Sequence, residues 1–239
     1  MRTLGIDLAS QPDRTAACLL EWTESHVTIL ELRESCHDED LDDLISNADA
    51  IGIDAPLGWP HAFREATARW QETKWNDEIR DQLRFRETDR FVRSLNPKNR
   101  PLSVSSDLIA LPAMRAMALL KRHAVHDRSG KDGRFFEVYP AATLKAWNLL
   151  ATGYKKNDQA SIDRREEIVH AINEIFPPLK APIDRLTQNA DVLDAWLAAL
   201  TTRAAALEMT HEPPDPKSAE HAIAEGWIHV PSEIALFQS

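Results

Sequence analysis

The chain has 239 residues, 43% of them apolar, and a formal net charge of −10; it holds 7 glycines and two cysteines, Cys18 and Cys36. The length suits a single domain over 1–239 that carries a sizeable insertion, and two cysteines exclude a disulfide scaffold or a cysteine zinc site. The acidic balance argues against nonspecific nucleic-acid binding by the whole surface, and so few glycines exclude several glycine-rich phosphate loops.

No window reads as a membrane span, and no signal-peptide pattern precedes the first strand, so a cytoplasmic protein with no membrane contact is expected. Residues 3–9 alternate Leu4, Ile6 and Leu8 with Thr3, Gly5, Asp7 and Ala9, which is strand period. Residues 14–23 and 26–33 read as two more strands, and the Glu24-Ser25 link between them implies a hairpin. Residues 37–46 are acidic and amphipathic, with Leu41, Leu44 and Ile45 on one side, and predict a helix. The fourth strand, 50–54, ends at Asp54 before the turn Ala55-Pro56-Leu57-Gly58-Trp59-Pro60.

Residues 61–130 predict no strand; 61–73 and 111–126 read as helices. Between them runs the densest basic stretch of the chain, Arg80, Arg84, Arg86, Arg90, Arg93, Lys98 and Arg100. A fifth strand is predicted at 134–139, helices at 141–150, 161–175 and 192–209, a short helix from Ser218, and a last strand at 226–230. The helix at 192–209 places Leu193, Leu197, Leu200, Ala204 and Leu207 at alternating steps of four and three.

Four places put a carboxylate where packing alone would not choose one. The tripeptide Gly-Ile-Asp occurs at 5–7 and at 52–54, and each time the glycine and the aspartate share a strand face. Glu137 shares a face with Phe135 and Tyr139, and Asp191 and Asp194 lie three apart at the start of the last long helix. Bland alternatives stand beside these readings: Asp191 could serve only the helix dipole, and Glu137 could pair with an arginine of the basic stretch. Carboxylates brought together repel unless a proton or a cation intervenes, and oxygen ligands suit Mg²⁺ or Mn²⁺. In open α/β sheets such sites form at the carboxyl ends of strands. The stretch Arg86-Glu87-Thr88-Asp89-Arg90 reads either as a solvated helix with internal ion pairs or as arginine forks for phosphate. His123, His126 and Asp127 have helical metal spacing but stand at a helix end beside Lys121 and Arg122.

Five pieces, in order, resemble the domain-of-unknown-function family numbered four-twenty-nine, whose members are predicted RNase H-fold nucleases. They are Gly5-Ile6-Asp7-Leu8-Ala9, Ile53-Asp54-Ala55-Pro56-Leu57-Gly58, Arg86-Glu87-Thr88-Asp89-Arg90, Glu137-Val138-Tyr139-Pro140 and Asp191-Val192-Leu193-Asp194-Ala195. The resemblance implies an α/β, RNase H-like fold with a five-stranded mixed central sheet, its first strand central and parallel to the fourth. It leaves a helical insertion, about 60–130, between the fourth and fifth strands. Asp191 and Asp194 resemble the aspartate pair that RuvC-type resolvases carry near the start of the last core helix.

The expected function is a Mg²⁺- or Mn²⁺-dependent phosphodiesterase acting on nucleic acid. Asp7, Asp54 and Asp194 would be metal ligands, Asp191 or Glu137 would complete the shell or orient water, and Arg86 and Arg90 would contact phosphate. The alternatives are an ATP-using phosphotransferase or ATPase of the actin-like relatives, and a noncatalytic adaptor on a nuclease-like fold.

Overall fold

The structure is a computed structural model that describes residues 1–72 and 74–236. Its first elements follow the expected order: β1 (Arg2–Asp7), β2 (Ala16–Trp22), β3 (Val27–Arg33), α1 (Asp38–Ser46) and β4 (Ala50–Asp54). β1 pairs antiparallel with β2, as β2 does with β3, and it pairs parallel with β4. Acidic residues fill the first turn of α1, where the helix dipole favours them, and Leu41, Leu44 and Ile45 form its buried side.

The helices that follow β4 are α2 (His61–Ala68), α3 (Asp77–Arg84), α4 (Glu87–Leu95) and α5 (Ala110–Arg122). The helix expected at 61–73 stops at Ala68, a 3-10 turn takes up Trp70–Glu72, and Thr73 lies outside the described residues. Then come β5 (Phe135–Val138), α6 (Pro140–Ala146), α7 (Gln159–Ile175), α8 (Ile183–Thr187), α9 (Ala190–Ala206), α10 (Pro216–Glu225) and β6 (Ile228–His229). The sheet order is β3-β2-β1-β4-β5-β6. The chain is therefore a mixed α/β protein whose sheet, among the described residues, has six strands and not five. The sixth is the strand expected at 226–230, cut to two residues. Gly226 before it has φ 86°, outside the strand region, and Pro231 after it has no N–H to donate to a ladder.

Contacts divide the chain into two compact units. The first holds Met1–Asp54, Val138–His211 and the chain from His229 onward; the second holds Ala55–Glu137 and Glu212–Ile228. The insertion expected at about 60–130 falls inside the second, and no strand occurs there among the described residues.

In the first unit, α9 lies directly on β1 and β4. A Cβ added to Gly5 would run into the Ala195 carbonyl and the Ala199 amide, and one added to Gly52 would meet the Thr202 hydroxyl. The two glycines of the Gly-Ile-Asp pair thus let a helix backbone approach the strands, and the small residues of α9 complete the fit. Nearly every residue of α9 is buried, well beyond the single apolar stripe the sequence shows. Its other sides pack with Cys18, Leu20 and Trp22 of β2, Trp147 after α6, and Ile168, Val169 and Ile172 of α7 in one apolar cluster. Both cysteines are buried, and neither is in a disulfide.

Candidate functional site

β1 and β4 each end on their aspartate, and in the parallel ladder Asp7 stands opposite Asp54. Both side chains follow a buried, mostly apolar strand interior and are themselves only partly buried. Burial pushes the Asp7 carboxyl well above the ordinary carboxylate value; Asp54 and then Asp191 push it further, while Lys155 and Arg14 pull it back. Asp7 therefore holds a proton more tightly than a free aspartate, chiefly because it is desolvated and secondly because Asp54 stands beside it.

The amino end of α9 supplies the next two acids. Asn189 caps the helix, its side chain accepting from the Asp191 N–H at 2.9 Å. Asp191 pairs with Arg14, Nε to Oδ2 at 3.3 Å, from the 3-10 turn Pro12–Arg14 that follows β1. The dipole account of Asp191 is thus part of the truth, with an ion pair added. Asp194 is fully buried. Its Oδ1 accepts from the Tyr154 hydroxyl at 2.9 Å, and its Oδ2 is bonded by the Lys155 ammonium. The Tyr154 hydroxyl is pushed to higher pKa by burial and then by Asp54 and Asp7, so it stays protonated and donates. Burial and Asp54 also raise Tyr139. Asp7, Asp54, Asp191 and Asp194 therefore share one electrostatic neighbourhood with Lys155, Tyr154 and Arg14.

Glu137 and Arg86 belong to the second unit, and there the structure corrects the expectation. Arg86 is 2% exposed, and all five of its N–H donors are engaged. Nε and Nη2 reach the two oxygens of Asp89 at 3.2 and 2.8 Å; Nη1 and Nη2 reach those of Glu137, both at 2.7 Å; Nη1 also donates to the Glu225 carbonyl at 3.0 Å. Glu137 accepts in addition from the Leu57 N–H at 2.9 Å. Burial raises the Glu137 carboxyl, and the Arg86 charge opposes that rise. Arg86 has no donor left for a phosphate, and Glu137 is an ion-pair partner instead of a reacting acid. The arginine pairing weighed for Glu137 from sequence is the one realised. Arg90 is different: a third of its side chain is exposed, with Glu87 at 2.9 Å and the Phe85 carbonyl at 2.6 Å as partners.

Over residues 5–219 the chain matches the family described as "Protein of unknown function (DUF429)". It belongs to that family. No curated protein and no solved structure matches it.

In this DUF429 chain the aspartates do not form the expected three-ligand metal shell. Among the described residues, no group of three or more His, Cys, Asp or Glu side chains is placed to hold a metal ion. Both oxygens of Asp194 are engaged, by Tyr154 and Lys155. A hard cation is commonly held by one or two carboxylates with water and phosphate oxygens in the remaining positions, and Asp7 and Asp54 are the two carboxylates that the parallel register sets opposite one another. Beyond α5, Asp127 accepts from the Ser129 N–H and hydroxyl, at 2.8 and 2.6 Å. Lys155 and Tyr154 escaped the sequence reading. Their one signal was an aromatic residue beside a lysine after Gly153, in a loop with no period.

Proposed function

We propose that this chain is a divalent-metal-dependent nuclease with an RNase H-like core, hydrolysing phosphodiester bonds of nucleic acid at the Asp7–Asp54 pair. The observation that carries the reading is the register: two partly buried aspartates, one at the carboxyl end of each of two parallel strands, directly opposite one another. The position of β1 inside a mixed sheet, parallel to β4 and antiparallel to β2, supports the same reading. Mg²⁺ or Mn²⁺ held there would activate a water and stabilise the leaving oxygen. Asp7 and Asp54 provide the hard oxygen ligands, and the negative charge of Asp54 beside Asp7 favours a cation shared between them. Asp191, held by Arg14, stands ready to orient a water. Asp194 keeps its place through Tyr154 and Lys155. Arg90, partly exposed, remains the candidate phosphate contact of the second unit.

The test uses labelled single- and double-stranded DNA and RNA with Mn²⁺ or Mg²⁺, and wild type beside Asp7→Asn and Asp54→Asn. Cation-dependent cleavage by wild type, lost in both folded variants, is the expected result. Cleavage that persists unchanged in Asp7→Asn overturns the assignment, as does the absence of both cleavage and Mn²⁺ binding in wild type.

A further inference from the structure

We propose that Lys155 is a positioning residue of the acidic site: a resident cation that holds Asp194 where a second divalent ion would otherwise sit, so that the chain takes one such ion at Asp7 and Asp54. The proposal rests on the metal-dependent reading above and adds which positive charge the chain itself contributes.

The first support is the state of Asp194. It has no exposed surface, and a buried carboxylate is tolerated only with a compensating charge and filled hydrogen bonds. Tyr154 fills one oxygen and Lys155 the other. The second is how the lysine is mounted. Its side chain is 57% exposed, and its ammonium ends on a fully buried acid. The backbone on either side is fixed by the fully buried Arg165 of α7, whose Nη1 donates to the carbonyls of Tyr154 at 2.6 Å and Lys156 at 2.8 Å. Tyr154 itself lies in the apolar cluster around α9. A lysine clamped on both sides is no drifting surface charge. The third is place: Asp194 lies on α9, whose Ala195 carbonyl comes against Gly5 of β1, two residues before Asp7. One charge is therefore fixed on the helix acid beside the strand that carries Asp7, as the second ion of a two-metal site would be. An ammonium tethered by its own chain cannot be diluted away.

The experiment titrates the full chain with Mn²⁺ and counts free ion by electron paramagnetic resonance, with melting curves to show that each variant is folded. Wild type and Lys155→Arg should bind one Mn²⁺ per chain. Lys155→Met, which keeps the stem and removes the charge, should bind two. The double variant Lys155→Met with Asp194→Asn should return to one, because the added ion depends on Asp194. A folded Lys155→Met that binds the same number as wild type with the same affinity overturns the proposal, and so does a wild type that binds two. If wild type binds none while Lys155→Met binds one that Asp194→Asn removes, Lys155 is the resident cation and the metal-dependent reading of the native chain falls. Should neither bind, both fall.

Discussion

The chain buries acids in two places and treats them in opposite ways. In the second unit, Asp89 and Glu137 close around Arg86 until every guanidinium donor has an acceptor. In the first, Asp7 faces Asp54 with Asp191 also in its surroundings, and the opposing charges of Lys155 and Arg14 leave its carboxyl raised. Burial of an acid is common to both and so carries no functional meaning by itself. Charge balance separates them: a closed network stabilises the unit it sits in, whereas like charges held together raise the affinity for a proton.

The sharpest way to break this comparison is to open the closed network. Arg86→Met leaves Asp89 and Glu137 buried without their cation and should destabilise the protein by roughly 3–5 kcal/mol, read as a lower urea midpoint. A loss below about 1 kcal/mol would mean that the network relaxes easily and that the contrast is not real.

Next in size is the response of the open site to metal. Mg²⁺ or Mn²⁺ bound only by the folded state should add about 2.7 kcal/mol at a hundredfold excess over its dissociation constant. Thermal melting with and without the ion should show this in wild type and in Arg90→Ala, and lose it in Asp7→Asn and Asp54→Asn. Equal shifts in all four proteins would place the ion elsewhere.

A smaller effect comes from the proton on Asp7. Its folded carboxyl lies above the ordinary value that the unfolded chain shows. Between those two values the folded state binds the extra proton, so wild-type stability falls as pH rises through the window and stays reduced above it. Asp7→Asn lacks that penalty. Without metal it should be at least as stable as wild type at neutral pH, and the two stability curves should converge as pH falls to the ordinary carboxylate range. Parallel curves with the variant less stable throughout would make Asp7 a structural acid.

The smallest change is expected for Arg90→Ala. Its pairing with Glu87 is partly solvated, so stability should drop by less than about 1 kcal/mol. Loss of one phosphate contact should also reduce the salt slope of nucleic-acid binding by about one. An unaltered slope removes Arg90 from the interface.

The open site was legible in the sequence because its strands announce themselves. Period-two alternation marked β1 and β4, and an aspartate ending each apolar run was the anomaly that needed a reason. The glycines beside those aspartates were read as part of the echo, but their purpose depends on α9, which arrives more than a hundred residues later in the chain. Helical period found α9 but not its burial on all sides, since alanine and threonine do not mark a second face. The closed network was misread for a different reason. An arginine inside a basic run looks solvated, and only the three-residue spacing from Arg86 to Asp89 hinted at a fork turned inward. α3 and α4 were blurred by the same charges. Lys155 was beyond reach, because its value comes from the loop that Arg165 ties down and not from any local pattern.

The contact between α9 and the two glycines has a consequence for geometry. Gly5 lies beneath Ala195 and Ala199, and Gly52 beneath Thr202, so the helix cannot slide along the strands without driving backbone into backbone. Asp194 is the residue just before Ala195, and Asp191 is one turn earlier. The glycines therefore act as a gauge that fixes how far the helix acids stand from the strand acids. The separation is set when the chain folds, before any ligand arrives. A site preorganised in this way needs little rearrangement on binding, and the entropy of assembling its carboxylates belongs to folding.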